Sequence, residues 1–164
     1  MPNDPTGTEI VELLHLVTEQ AQTAYVLVTA TALEDMLEMA LLGSMREMSK
    51  TSYADLFTGN GPLSTFASKI EVAYAIRIID DDLVGDFRGI KSIRNAFAHP
   101  REAVLSFRSA KLTKEFQKLT GWNKDVDRRQ LFDERVVACI ELLRRQIDTS
   151  MFILALRKAL PGKS

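Results

Sequence analysis

In the stretch IRNAFAHP, residues 93–100, an arginine, an asparagine and a histidine fall within six positions: Arg94, Asn95 and His99. His99 is one of two histidines in the chain. Histidine titrates near neutral pH and can take a proton from a ribose 2′-hydroxyl or give one to a leaving oxygen. Arginine holds a phosphate and stabilises the charge that develops on it, and asparagine can orient either partner. Together the three suit phosphodiester cleavage in RNA without a metal. The structural alternative is a histidine that caps its helix and an arginine paired to a buried acid such as Glu34 or Glu38.

Spacing bears on the choice. Five residues of continuous helix turn through about 140°, which separates the two side chains. Pro100 pushes His99 out of the α region, so the helix should end near Ala98. A helix that unwinds there lets Arg94 and His99 border one cleft. The apolar stripe Leu83, Phe87, Ile90, Phe97 also passes through position 94, where an arginine facing the core is costly unless paired.

The elements that must position these residues read as helices almost throughout. Over residues 20–48, Val26, Ala30, Leu33, Leu37, Leu41 and Met45 recur at steps of three and four. Tyr25, Val28, Ala32, Met36 and Met39 form a second stripe, which predicts a helix at the centre of a bundle or in a subunit interface. Thr6 or Thr8 is placed to cap a shorter helix running to about Glu19, continuous or not with the first. Residues 49–62 read as a break ending in TGNGP, and GNGP is a turn that sets the angle of the next helix, without the lysine of a phosphate loop. Ser64 is the expected cap of a helix through Asp80, with Leu63, Phe66, Ile70, Ala73 and Tyr74 inward. A third helix is expected over 82–98. Residues 100–131 are irregular, with 104–107 as a short strand or extended stretch and 111–119 as a short helix. A long helix over 133–160 carries Phe132, Val136, Ile140, Leu143, Ile147, Met151 and Leu154 in line, stopped by Pro161-Gly162. The expectation is an all-α, up-and-down bundle of four to five main helices, as one domain over residues 1–164.

Composition sets outer limits. The 164 residues are 46% hydrophobic and 26% charged, with a net charge of −1, so no global charge draws the chain to nucleic acid. Charge is uneven: residues 1–60 hold nine acids and two bases, and residues 101–130 hold eight bases and four acids. That basic segment reads as a solvated loop or as a surface for phosphate or an acidic partner. No apolar run is long enough to span a membrane, and the first residues lack the pattern of a signal peptide; the expectation is a cytoplasmic protein. The lone Cys139 sits in an apolar helical run and reads as a core residue. Glu34, Asp35 and Glu38 lack a further ligand for a metal and read as a solvated or arginine-pairing face. No cofactor is implied. His15 reads as a packed or surface residue. Four methionines at 36, 39, 45 and 48 suit core packing or a dimer interface.

Two resemblances bear on function. The run LFTGNGPLSTFASKIEVAYAIRIIDDD followed by IKSIRNAFAHP resembles the mannitol operon repressor family of helical bacterial proteins, closely over residues 53–107 and in general character beyond. One departure is Arg77, where glycine or another small residue is expected; Asp80 or Asp81 is near enough in sequence to pair with it. The resemblance implies a regulator that works through protein contacts, since the family is known for lacking a recognisable DNA-binding element. Consistently, this chain holds no helix-turn-helix pattern, zinc ligand set or strongly basic recognition helix. Arg94, Asn95 and His99 also match the R-x(4–6)-H signature of HEPN domains, helical bundles that resemble metal-independent ribonucleases acting as dimers or that serve as binding modules. The leading expectation is a dimeric regulator acting on a protein partner. The alternative is a HEPN-like endoribonuclease, a toxin or stress nuclease, with His99 as acid or base, Arg94 as phosphate ligand and Asn95 as orienting residue. Direct DNA repression ranks third, because only residues 101–130 offer suitable charge.

Overall fold

The structure is a computed structural model and describes residues 7–100 and 105–159. Among these residues every regular element is helical, as the apolar spacing predicts: α1 (Gly7–Ser44), α2 (Lys50–Phe57), α3 (Phe66–Ala75), α4 (Val84–Ala98), a 3-10 turn (Ala110–Leu112), α5 (Thr113–Phe116) and α6 (Arg128–Ala159). The chain is an all-α bundle in which the four longer helices α1, α3, α4 and α6 enclose one apolar core.

Helix α1 forms the spine. Val26, Ala30, Leu33, Leu37 and Leu41 are all buried, at the three-and-four spacing that puts them on one face. The shorter N-terminal helix expected up to Glu19 is continuous with it, because nothing between residues 15 and 25 breaks a helix. Thr6, one of its two expected caps, lies outside the described residues, and Thr8 falls within the helix. The second stripe is only partly covered: Tyr25 and Met36 are half-buried, whereas Val28 and Met39 are 70% and 57% exposed.

Helix α6 lies beside α1 and runs parallel to it. The Tyr25 hydroxyl donates to Asp133 Oδ1 at 2.7 Å near the start of α6. Gly43, near the end of α1, lies so close to Ser150 that a Cβ there would meet the serine Cβ at 3.1 Å. The same offset of 107–108 residues at both ends fixes a side-by-side pair in register. Two unpaired extensions follow. Residues 7–18 of α1 precede the start of α6, and residues 151–159 of α6 continue past the end of α1.

The expected break at 49–62 contains the short helix α2. Ser49 caps it by accepting from the Ser52 backbone N–H at 3.1 Å. It was hidden because its eight residues show too little apolar repeat, burying only Phe57. The GNGP turn behaves as expected. Gly61 has no room for a side chain, since a Cβ would lie 2.5 Å from the Leu56 carbonyl oxygen. Thr65, not Ser64, caps α3, accepting from the Ser68 backbone N–H at 3.1 Å. Helix α3 ends at Ala75 rather than near Asp80, and Tyr74 is exposed while Leu63, Phe66, Ile70 and Ala73 are buried.

That early end has a physical cause at Arg77. The Ile78 N–H donates to the Ala73 carbonyl at 2.8 Å and the Arg77 N–H to the Tyr74 carbonyl at 3.0 Å. These are the two bonds of a Schellman C-cap, which requires a left-handed residue at position 77. Arg77 has φ of 65°, the conformation that favours glycine. The small residue expected there is therefore what the backbone asks for. Of the ion pairs expected for Arg77, none with Asp80 or Asp81 forms; Asp80 Oδ1 instead accepts from the Leu83 N–H, and Asp81 Oδ1 from the Tyr74 hydroxyl.

Residues 105–107 are irregular rather than a strand, and Val104 lies outside the described residues. The short helix expected at 111–119 is a 3-10 turn leading into one turn of α. Helix α6 begins five residues before the expected start, at Arg128. Phe132, Val136 and Leu143 of its stripe are buried, while Met151 and Leu154 are 66% and 53% exposed. The stop at Pro161-Gly162 lies outside the described residues. No helix among them is long and apolar enough to cross a membrane.

Candidate functional site

Helix α4 presents the motif. Its buried face is Phe87, Ile90, Ile93 and Phe97, which carries the helix onto α1 and α6. The expected stripe passed through position 94, but the buried face turns through Ile93 instead. Arg94 stands at its edge, half-buried, and the guanidinium does not enter the core. The cost anticipated for a core arginine is therefore not incurred.

The helix ends where Pro100 requires. His99 is its C-cap, with φ −131° and ψ 65°, and its backbone N–H makes the last helical bond to the Asn95 carbonyl at 3.1 Å. The histidine ring is exposed, as is Asn95. The Arg94 Nη1 donates to Asn95 Oδ1 at 3.2 Å. Among the described residues no hydrogen bond joins His99 to Arg94 or to the Asn95 side chain, and no carboxylate pairs with Arg94. The three polar side chains thus sit on one exposed helix end, with arginine and asparagine joined and histidine separate.

The expected acids for Arg94 are engaged elsewhere. Lys69 of α3 is 5% exposed and points between Glu34 and Glu38 of α1, with Nζ 3.0 Å from Glu34 Oε1 and 2.8 Å from Glu38 Oε2. Tyr53 of α2 donates to the other Glu38 oxygen. Burial alone would raise the Glu38 carboxyl, but the bonds from Lys69 and Tyr53 outweigh it and hold the group below its ordinary range. Burial would lower the Lys69 ammonium, and the two carboxylates reverse that and raise it. The pairing with arginine expected for this acidic face is corrected: the cation is a lysine. Its ammonium occupies the space a metal ion would need between the two carboxylates.

A second buried charge had no prediction. Asp86 of α4 is fully buried, and its Oδ1 accepts from the Thr120 backbone N–H at 2.7 Å. Among the described residues its Oδ2 has no hydrogen-bond partner, and it lies 3.8 Å from Arg135 Nη1 on α6. Burial raises its pKa, opposed by the Thr120 bonds and by Arg135. Asp86 fastens residues 117–122 to α4, where Gly89 also makes room for Leu119. Burial likewise pushes the Cys139 thiol up, so it stays protonated in the core as the sequence implies.

The basic segment divides. Arg128 donates to the Phe107 and Ser109 carbonyls at 3.3 and 2.7 Å and to Thr113 Oγ1 at 2.9 Å, and stacks against Phe116 and Trp122. It is a clamp on the irregular segment. Arg129 lies 4.1 Å from the Tyr25 ring centroid and pairs with Asp133 at 3.7 Å. Arg108, Lys114 and Lys124 are exposed. A cavity of about 440 Å³ opens between Gln22, Phe107, Arg108 and the start of α6. Two others, of about 550 and 540 Å³, lie around residues 42–56. None of the three includes Arg94, Asn95 or His99. His15 is a surface residue, with Nδ1 3.5 Å from Glu19 Oε1.

The sequence reading missed Lys69, Asp86 and Arg128. A signal existed for the first: Glu34 and Glu38 are like charges one turn apart on a helix, which repel unless a cation sits between them. Asp86 and Arg128 lack such a signal, because the backbone groups they hold belong to an irregular segment with no apolar repeat to place it. Comparison with protein-family models, curated proteins and solved structures finds no match to this chain.

Proposed function

We propose that this chain is a regulatory binding module of the mannitol-repressor type, acting through protein contacts and without an autonomous DNA-binding motif. The observation that carries this reading is the pair of uncovered helix ends. Ten of the fifteen large apolar side chains exposed among the described residues fall in 7–18 of α1 or 151–155 of α6. Monomeric proteins rarely leave large contiguous apolar patches uncovered, and six of these side chains group at the start of α1 and four near the end of α6. An apolar stripe on a helix ordinarily faces another element or chain. Among the exposed large apolar side chains of the described residues, none falls on α4, which carries the Arg94–His99 set.

The test is regulation in the native host. In a reporter strain for sugar-alcohol uptake genes, Leu14→Glu and Leu154→Glu should abolish regulation, while Arg94→Ala and His99→Ala should retain it. The reverse pattern overturns the proposal.

A second reading, metal-independent RNA cleavage, draws support from one fact: Arg94 pairs with no carboxylate among the described residues, and His99 is exposed on the same helix end. A phosphate could then reach both only where a second chain closes a cleft over the helix end. Under that reading Arg94 binds phosphate, His99 moves the proton, and Asn95 holds the guanidinium through the bond already present.

A further inference from the structure

We infer that the cavity between α1, the irregular segment and the start of α6 is a binding site for a small phosphomonoester, with Arg108, Arg128 and Arg129 as its cationic wall. These three arginines and one carboxylate, Asp127, line a space of about 440 Å³, within the range that small-molecule sites occupy. Neither the exposed apolar helix ends nor Arg94, Asn95 and His99 line it. The regulatory and nuclease readings can therefore fail without this site failing, and the reverse.

The charges around the cavity are not used up by the fold. Arg128 gives its hydrogen bonds to neutral oxygens, the Phe107 and Ser109 carbonyls and Thr113 Oγ1. Those bonds fix the guanidinium in place and leave its charge uncancelled. Arg129 is held over the Tyr25 ring at 4.1 Å, and its ion pair with Asp133 is 3.7 Å long, beyond hydrogen-bond length. The Asp133 carboxylate is shared besides, since it accepts from the Tyr25 hydroxyl. Arg108 is exposed, and its side chain has no hydrogen bond or ion pair among the described residues. On the acid side, Asp127 Oδ1 is turned to its own helix, accepting from the Gln130 backbone N–H at 2.9 Å. Gln22 of α1 accepts from the Phe107 N–H through Oε1 at 3.0 Å, which leaves its amide NH2 as a further donor at the cavity.

This charge balance selects the ligand class. Three cations against one carboxylate leave an excess of two positive charges in the lining, and Asp133, outside it, offsets part of that at Arg129. A phosphomonoester carries about −1.5 to −2 charges at neutral pH and three acceptor oxygens. Guanidinium forks match such oxygens in pairs. A carboxylate or a phosphodiester brings a single charge and leaves more of the excess unmatched. Val126 and Phe107 add an apolar side to the cavity, suited to the carbon part of an organic phosphate.

The experiment uses the full chain, isotope-labelled, with backbone amide shifts followed as phenyl phosphate or benzoate is added at fixed ionic strength. Phenyl phosphate should bind saturably at millimolar concentration, move the amides of Phe107, Arg108 and residues 126–130, and bind about tenfold more tightly than benzoate. Arg108→Ala and Arg129→Ala should each weaken its binding about tenfold with unchanged helical circular dichroism. Arg128 is kept, because it clamps the irregular segment and its loss would disturb the cavity itself. Absence of saturable binding overturns the inference, as does benzoate binding as tightly as phenyl phosphate, or an affinity that neither variant changes. Shifts at the same amides produced by single-stranded RNA and not by phenyl phosphate would also overturn it, in favour of a nucleic-acid surface.

Discussion

Two polar clusters on this bundle differ in how completely they are used. Around Lys69, every charged group has its opposite: one ammonium, two carboxylates and a tyrosine hydroxyl, closed among α1, α2 and α3. Around Arg94, the guanidinium has only its neighbour Asn95 among the described residues, and the His99 ring is exposed. The first cluster is mostly buried and must be saturated to exist, because a lone charge there would cost several kcal/mol. The second is on the surface, where no such demand operates. Residues required by the fold are therefore found at Lys69, and residues free for another purpose at Arg94, Asn95 and His99.

The largest effect should come from opening the closed cluster. Lys69→Met leaves Glu34 and Glu38 facing each other without a cation and should cost about 3–5 kcal/mol in denaturant unfolding. A loss under 1 kcal/mol would remove the contrast. Its pH dependence follows from the two shifts. Glu38 is held below its ordinary value of 4.5, so its contribution is present above that pH and is lost as pH falls through the lower, folded value. Lys69 is held above 10.5, so its contribution is present below that pH and is lost as pH rises through the higher, folded value. In Lys69→Met burial is left to raise Glu38, so the difference in stability between wild type and variant should begin to shrink on the acid side while the pH is still above 4.5, and on the alkaline side as pH rises past 10.5.

Next in size is Asp86→Ala, which strips the Thr120 N–H of its acceptor and should cost about 1–3 kcal/mol. Amide exchange should then speed up at residues 117–122 before the rest of the bundle. Asp86 responds to acid in the opposite sense to Glu38. Its folded pKa is raised, so protonation relieves the burial cost as pH falls toward the ordinary value of 3.8.

A smaller effect, and a gain, is expected at Arg77. Replacing it by glycine relieves the left-handed strain at φ 65° and should stabilise the chain by about 1 kcal/mol, read as a raised denaturation midpoint with an unchanged slope. The smallest effects belong to the open cluster. Arg94→Ala and His99→Ala should each change stability by less than about 0.5 kcal/mol, as surface substitutions do. A large loss in either would mean that the fold depends on them and would dissolve the distinction.

What the sequence disclosed follows from where each signal lies. The core faces of α1, α4 and α6 were legible because burial repeats along one helix at three and four residues. The end of α4 at His99 was legible because Pro100 acts on its own neighbour. The preference for a small residue at position 77 came from resemblance, and the positive φ now supplies its cause. Helix α2 was not legible, being too short to show a repeat. The partner of Glu34 and Glu38 was not legible either, because Lys69 meets them across 31 or more positions of chain through tertiary packing alone. Arg94 was placed one step too far inward: a stripe drawn every three or four residues passes equally through 93 and 94, and only packing against α1 and α6 decides between them. That Arg94, Asn95 and His99 share one helix end was readable; how far apart the histidine stands from the other two was set by the cap geometry.

The account rests on Arg94, Asn95 and His99 being surplus to the fold and, in the regulatory reading, not catalytic. The measurement that addresses this most directly is incubation of the purified full chain with labelled single-stranded and transfer RNA in EDTA, beside Arg94→Ala and His99→Ala. Intact RNA in all three samples is the predicted result. Cleavage by the wild type that disappears in both variants, each still folded, would contradict it and make the open cluster a metal-independent nuclease site.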